Sequence, residues 1–338
     1  MHIRNCRLDQ VLLDESPYCY TDPEDLDGLA RSIAAVGLLQ PPLAAEVDGS
    51  IVIVAGFRRL RACRQLGMPS ADVSMLAAGL SPDQLFRIAI LSNAAHRRLN
   101  PVECGRLCRS IEQRLSIDRK TLAREFLPLM GQPAAPERLE LLRPIPDLPP
   151  LLIPWVAAET FPLKNVPGLL RFQPEDREFL AEVMVGLRFS SSRQREFLQQ
   201  IWDIHRREEL PVRRILEMAG ARVPAGSDQR ELPRLSESVW SALHRLAFPN
   251  LARRETVFEK ANRRFEKIPG VRLLPFPYFE KSEYRLELVF DSPARLQSTL
   301  RELAAPGVES AAAALFAEPG EESPRHEATG HSDKRSSE

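Results

Sequence analysis

At 338 residues the chain is long enough for two or three domains, each able to bury its own core. Hydrophobic residues at 43% and charged residues at 27% describe a globular chain rather than a disordered one. Lys+Arg and Asp+Glu balance at 46 each, so any pull on nucleic acid must come from local patches rather than from net charge. Apolar runs such as IVIVAG and LLQPPLAA are far too short to span a bilayer, and the start, MHIRNCRLDQ, has no apolar core of signal-peptide type. The chain is therefore expected in the cytoplasm, with no membrane partner. The cysteines Cys6, Cys19, Cys63, Cys104 and Cys108 form no CxxC and no spaced pairs of metal-ligand type, which points to buried, reduced thiols.

Residues 1–80 alternate strand and helix signals. IRNCRLDQVLL opens with strand-like alternation. TDPEDLDGLARSIAAVGLL reads as a helix capped at Thr21, with acids in its first turn, Leu26, Leu29, Ile33 and Val36 at helical spacing, and Gly37 as its stop. PLAAEVDGSIVIVAG reads as two strands joined by a hairpin turn at Asp48-Gly49. FRRLRACRQLG is a short helix closed by Gly67, and the strand ADVSML and a helix from SPDQLFRIAIL complete an α+β unit.

From about residue 100 the pattern turns helical. PVECGRLCRSIEQRL starts with Pro101 behind an Asn100 cap, DRKTLAREFL ends at Pro128, and PERLELLRPI is a short helix stopped by a proline-rich stretch. SSSRQREFLQQIWDIHRREEL is an amphipathic helix with Phe197, Ile201 and Ile204 on one side. Residues 219–234 have linker composition. An αββα unit follows over residues 235–305, too small to cover its own apolar residues, so pairing with a second copy is expected. Residues 306–338 read as a disordered acidic tail. The predicted organisation is thus an α+β domain over 1–99, a helical domain over 100–218, the linker, the αββα unit and the tail.

Arg58, Arg59, Arg61 and Arg64 crowd the helix that follows Gly56. A charge run on a helix is ordinarily a solvated face. Here no Asp or Glu lies between Gly49 and Ser70, and the run begins at a strand-to-helix turn whose glycine lets backbone approach a ligand. N–H groups at the helix start face an anion, and Arg58 and Arg59 can fork onto its oxygens, which is the physical arrangement of a phosphate site. A second constellation, LSNAAHRRLNPVE, places Asn93, His96, Arg97 and Arg98 just ahead of the Asn100-Pro101 cap. By themselves His96 is as readily a surface or capping residue, and Arg97 and Arg98 as readily solvate a helix end.

The order of ARSIAAVGLLQPPLA, IVIVAGFRRLRACRQLGM and LSNAAHRRLNPVECGRLCRSI resembles the ParB/RepB type of chromosome and plasmid partition proteins. The family's versions are a helix ending in Gly-hydrophobic-hydrophobic-Gln-Pro, a Gly-Glu-Arg-Arg turn leading into Arg-x-Ala, and Glu-Asn-x-x-Arg followed by Leu-Asn-Pro. The likeness covers roughly residues 1–220, with a looser echo at 235–305. It implies a ParB/sulfiredoxin-like mixed α+β N-terminal domain that binds CTP with Mg²⁺, a helix-turn-helix middle domain that binds DNA, and a C-terminal homodimerisation domain. It also implies a nucleoid-associated location and a partner ATPase of ParA type. By position, the resemblance puts Gly56, Arg58 and Arg59 on the triphosphate, Arg61 nearby and Gln40 lining the pocket. His96 and Arg97 fall at the arginine end of the third motif, and Asn93 where the family has a metal-associated asparagine.

Three departures bear on chemistry. Phe57 stands where the turn has glutamate, Ser92 where the third motif has its acid, and His96 where it has arginine. Losing the acid beside Asn93 removes a hard-oxygen ligand for Mg²⁺, which weighs against hydrolysis and favours a binding protein. The tight turn of the helix-turn-helix is replaced by PLMGQPAAP, and its second helix is short. Arg119, Lys120, Arg124, Arg138 and Arg143 are the candidate DNA-binding residues. Ten basic residues face six acids between Arg97 and Arg143, a balance suited to backbone contacts. Two other readings stand beside this one. One is a nuclease- or kinase-type enzyme on the same scaffold, drawing on Glu24, Asp25 and Asp27, whose plainer role is as first-turn helix acids. The other is a scaffold that has kept the fold and lost the ligand.

Overall fold

The computed structural model describes residues 2–11, 13, 16–21, 26–221, 230–276 and 283–317. Packing divides the chain into Met1–Trp240 and Ser241–Glu338.

The first unit begins with strand β1 (His2–Arg7), helix α1 (Asp27–Val36), β2 (Leu43–Val47), β3 (Ser50–Ala55), α2 (Phe57–Gln65), β4 (Ser70–Met75) and α3 (Pro82–Ala94). The strands form one mixed sheet in the order β1-β4-β2-β3. β1 and β4 are antiparallel, as are β2 and β3, while β2 runs parallel to β4 through Leu43↔Ser74 and Ala44↔Met75. The β2–β3 turn falls at Asp48-Gly49, where φ of 50° and 77° make the primed turn that matches strand twist. Ile53, Val54, Leu60, Val73, Phe86 and Ile90 seal the core between sheet and helices. α1 starts at Asp27 with Leu26 ahead of it and no side-chain cap, so Thr21 does not cap it as the sequence predicts. Thr21 is instead the last described residue of a loop that packs against α2 and α3.

α4 (Pro101–Arg114) carries the Asn100 cap, and a full capping box: Asn100 accepts from the Glu103 N–H while the Glu103 carboxylate accepts from the Asn100 N–H. α5 (Arg119–Glu125) is capped by Asp118. The ten residues 126–135 then hold a 3₁₀ turn at Pro128–Met130 before α6 (Pro136–Leu142). The proline-rich stretch, which breaks any long periodicity, folds as short turns of helix leading to α7 (Ile153–Ala157) and α8 (Val166–Leu170). α9 (Pro174–Gly186), α10 (Ser191–Glu208) and α11 (Val212–Met218) follow, and Phe197, Ile201 and Ile204 of α10 are buried as their spacing predicts.

The expected linker is in part structured: residues 222–229 lie outside the described residues, and α12 (Leu232–Ala247) begins within the segment. The second unit contains α13 (Pro249–Phe265), the antiparallel pair β5 (Val271–Pro275) and β6 (Tyr284–Leu288), and α14 (Pro293–Leu303). The expected tail is corrected at its start, because Pro306–Phe316 is a helix, α15. Its Val308, Ala311, Ala312 and Leu315 fall on one face and pack on a cluster of Phe265, Ile268, Val271 and Leu273. Residues 318–338 of that tail lie outside the described residues.

The cysteines form no disulfide, and Cys104 and Cys108 are fully buried on one face of α4. Burial pushes the Cys104 thiol up to about 12 and Cys108 higher still, so neither presents a thiolate near neutral pH. Iodoacetamide at pH 8 is expected to modify half-buried Cys19 first and to reach Cys104 and Cys108 only in denaturant. Equal labelling rates in the native chain, read by mass spectrometry, would contradict this packing.

Candidate functional site

The turn from β3 into α2 is built around Gly56. Its φ of 92° and ψ of 23° lie in the left-handed region, and a Cβ there would sit 2.9 Å from Pro42 Cβ and 3.0 Å from Pro42 Cα. Glycine therefore serves twice, permitting the turn and letting the Gln40-Pro41-Pro42 segment close against it. No side chain caps the first turn of α2, whose N–H groups have no carbonyl four residues back within the helix. Phe57 is buried at 5% exposure, so the position where an acid is usual has become part of the core.

The four arginines of α2 part company. Arg58 is exposed. Arg59 donates through Nη1 to the Gln40 carbonyl at 2.5 Å, and burial draws its pKa below the usual guanidinium value. Among the described residues no carboxylate pairs with Arg59. Arg61 reaches Thr21 O at 3.5 Å and Cys19 Sγ at 3.2 Å, and Arg64 donates to Leu8 O at 2.8 Å and Val11 O at 2.7 Å. Arg61 and Arg64 thus fasten the loop after β1 onto α2.

That loop also organises the second constellation. Ser16 Oγ donates to Ile53 O at 2.8 Å, and the Tyr20 hydroxyl donates to Ala89 O at 3.1 Å while accepting from Asn93 Nδ2 at 2.7 Å. Burial pushes the Tyr20 phenol upward, so it remains a protonated donor. Arg106 of α4 donates to Tyr20 O at 3.4 Å. Tyr20 and Ser16 are neighbours of the candidate site that the sequence did not reveal.

Asn93 therefore sits at the end of α3, its amide nitrogen spent on Tyr20. Ser92 Oγ donates to Ile88 O at 2.6 Å. Among the described residues no three His, Cys, Asp or Glu side chains gather to hold a metal. Ser92 and Asn93 bring no carboxylate of their own to a Mg²⁺ ion. His96 is exposed in the α3–α4 connection. Arg97 forks onto Glu103, with Nη1–Oε2 at 2.7 Å and Nη2–Oε1 at 2.5 Å, and so neutralises the buried carboxylate of the α4 capping box. The structure gathers Gln40, Gly56 and Arg59 at one turn, beside the exposed Arg58. Asn93 is linked to α2 through the Tyr20 loop, and Arg97 pairs with Glu103 at the start of α4.

Of the DNA candidates, Lys120 is exposed on α5 and Arg124 lies beside Glu125 at 3.0 Å. Arg119 approaches Glu140 at 3.4 Å, and Arg143 is held by Glu112 at 2.8 Å and by Glu140 at 3.6 Å. Arg138 Nε donates to Gln132 Oε1 at 2.8 Å. The charge excess counted along the sequence is thus partly spent inside the α4–α5–α6 group. In the second unit Lys260, Arg263, Arg264 and Lys267 border an open cleft with Glu266 as its acid.

These elements define an α+β module in which a glycine turn opens an arginine helix beside a Gln-Pro-Pro segment, followed by a capped helical region. Residues 3–94, which hold this module, match the family model described as ParB N-terminal domain. A probable chromosome-partitioning protein ParB of Campylobacter jejuni is 32% identical over 102 residues, covering 30% of this chain and 36% of the relative. A nucleoid occlusion protein of Listeria monocytogenes is 24% identical over 185 residues, covering 54% of this chain and 62% of its own length. The chain thus spans about a third to under two thirds of the length of these relatives. Two structures of C-terminally truncated ParB from Caulobacter crescentus align with it. The CTP-gamma-S complex has 19% identity, a TM-score of 0.25 and coverage of 55% of this chain and 99% of that one. The complex with the centromeric parS site has 18% identity, a TM-score of 0.33 and coverage of 58% and 99%. Among the described residues no helix is long and apolar enough to cross a membrane.

Proposed function

We propose that this chain is a dimeric, DNA-binding protein of chromosome partition or nucleoid organisation that holds a CTP-type triphosphate at the Gly56 turn without hydrolysing it. The observation that carries the ligand reading is Arg59. It is a half-buried guanidinium at an uncapped helix start, with a backbone carbonyl and no acid for company among the described residues. A cation so placed has paid part of its desolvation cost and gains most from an arriving anion. Arg58 supplies the exposed second fork, and Gln40 the neighbouring backbone. Asn93, with Arg61 and Tyr20, sets the wall formed by the loop after β1. His96 and Arg97 act at the junction with α4.

DNA contact is assigned to the exposed edge of α5, through Arg119, Lys120 and Arg124, mainly to phosphates. Arg143 supports that surface from its pairs with Glu112 and Glu140. Dimerisation is assigned to the second unit, whose β6 end leaves Leu286, Val289 and Phe290 exposed at 41%, 75% and 52%. The enzyme reading has less support. Asp27 lies in the first turn of α1 and accepts from Gln65 at 2.8 Å, while Glu24 and Asp25 lie outside the described residues.

Calorimetric titration with CTP, ATP and GTP, with and without Mg²⁺, tests the ligand reading. CTP is expected to bind, and Arg58→Ala and Arg59→Ala each to weaken it about tenfold or more, the worth of one charge-assisted hydrogen bond. Absence of binding by any nucleotide would leave the bare scaffold. Release of phosphate at a steady rate would favour the enzyme.

A further inference from the structure

A cleft of about 370 Å³ lies in the helical part of the first unit, away from the Gly56 turn, between the start of α4, α6, α7 and residues 159–164. Its size falls in the range of small-molecule sites, roughly 300–1,000 Å³. Leu141 and Pro162, both half-buried, supply the accessible apolar lining, backed by the buried Val156, Phe161 and Leu163. The charged groups on it are Arg138, Lys164 and Glu159.

Two features mark this as a built site rather than a surface dent. Gln132, only 6% exposed, accepts from Arg138 Nε at 2.8 Å and donates to Cys104 Sγ at 3.7 Å, which fixes one edge of the guanidinium plane. Among the described residues the terminal nitrogens Nη1 and Nη2 of Arg138 have no hydrogen-bond partner, so the fork is held in place with its end available. The segment that carries Glu159 is also held by hydrogen bonds. Glu159 takes a φ of 57°, a left-handed conformation costly for a residue with a Cβ, and it is locked by Phe161 N–H to Trp155 O at 3.0 Å and by Gln194 Nε2 to Thr160 O at 3.0 Å.

We propose that this cleft binds a small amphipathic carboxylate, with its acid group on the Arg138 fork beside Lys164 and its hydrocarbon body against Leu141 and Pro162. A planar guanidinium with two free terminal nitrogens matches a carboxylate bidentately, and Lys164 adds charge without fixing geometry. Glu159 sets the selectivity. Two cations against one anion suit a single negative charge and disfavour a polyphosphate, while the apolar lining offers nothing to a sugar-phosphate backbone. The inference stands apart from the nucleotide reading, since no residue of the Gly56 turn takes part.

Titration of the full chain with hexanoate and phenylacetate, followed by saturation-transfer NMR and calorimetry, tests it, with hexanamide as the neutral isostere and pyrophosphate as the anion lacking a hydrocarbon body. Both carboxylates are expected to bind saturably, with hexanamide and pyrophosphate at least tenfold weaker. Arg138→Met is expected to weaken hexanoate about tenfold or more, and Lys164→Met several-fold. Lys164 is exposed, so its variant reads the site even if Arg138→Met fails to fold. No saturable binding, equal affinity for hexanamide, stronger binding of pyrophosphate, or indifference to Lys164→Met would each overturn the proposal.

Discussion

Gly56→Ala is expected to destabilise the first unit by about 2–5 kcal/mol and to abolish nucleotide binding together with it. The first contribution is conformational: an alanine forced into the left-handed region costs roughly 1–2 kcal/mol. The second is steric. The added Cβ would meet Pro42 at 2.9 Å and 3.0 Å, and the atoms it meets belong to a proline whose backbone is tied to the sheet through Ser74 N–H to Pro42 O at 2.8 Å. Neither partner is the end of a flexible chain, so relief requires moving the turn itself, at about 1–3 kcal/mol for an overpacked core. The same movement carries Gln40 away from Arg59 and turns the first N–H groups of α2 out of line. Urea denaturation would show a lower midpoint at unchanged slope. A variant as stable as the parent would mean that the turn tolerates a side chain, and the close approach of Pro42 would lose its meaning. Gly49→Ala makes a useful companion, because Gly49 has φ of 77° with nothing within 4 Å of its Cβ position, so it reports the conformational cost alone.

The parts of the fold that could be read from sequence are those fixed by neighbours in the chain. The Asp48-Gly49 turn, the Asn100 cap and the strand-to-helix step at Gly56 each depend on one or two residues whose backbone preferences have no competitor. What stayed hidden depends on distant partners. Tyr20 meets Ala89 and Asn93, 69 and 73 residues away, and nothing in the segment around it marks the tyrosine as a hydrogen-bonding hub. The arginines show the same limit. The absence of acids near them was visible, yet Arg61 and Arg64 found backbone carbonyls of the loop after β1, partners that a charge pattern cannot display. α15 was hidden for another reason. Its sequence, PGVESAAAALF, opens with Pro-Gly, has few large side chains and runs into an acidic, Ser/Gly/Pro-rich segment, but a shallow alanine face suffices where Phe265 and Tyr284 supply the bulk. Tyr284 completes the contact by donating to Leu315 O at 3.4 Å and by meeting the Phe316 ring edge-on at 5.5 Å.

The second large effect is expected at the start of α4. Glu103 is buried, its side chain 5% exposed, with Arg97 forked onto it and the Asn100 N–H donating to it at 3.0 Å. Arg97→Met removes the counter-charge and strands a carboxylate, at about 2–3 kcal/mol once the 41% exposure of Arg97 is allowed for. Glu103→Gln keeps an oxygen for the Asn100 N–H and leaves Arg97 to solvent, so its cost is smaller, about 1 kcal/mol. The double variant has no stranded charge, and it is expected to be more stable than Arg97→Met alone. That inversion separates a charge latch from ordinary packing, in which the two losses would add. Because Arg97 stands in the stretch that resembles the family's arginine motif, the same set of variants reads its role. Loss of CTP affinity in Arg97→Met that is restored in the double variant assigns Arg97 to shaping the α3–α4 junction. Loss that persists in the stable double variant assigns the guanidinium to the phosphates directly.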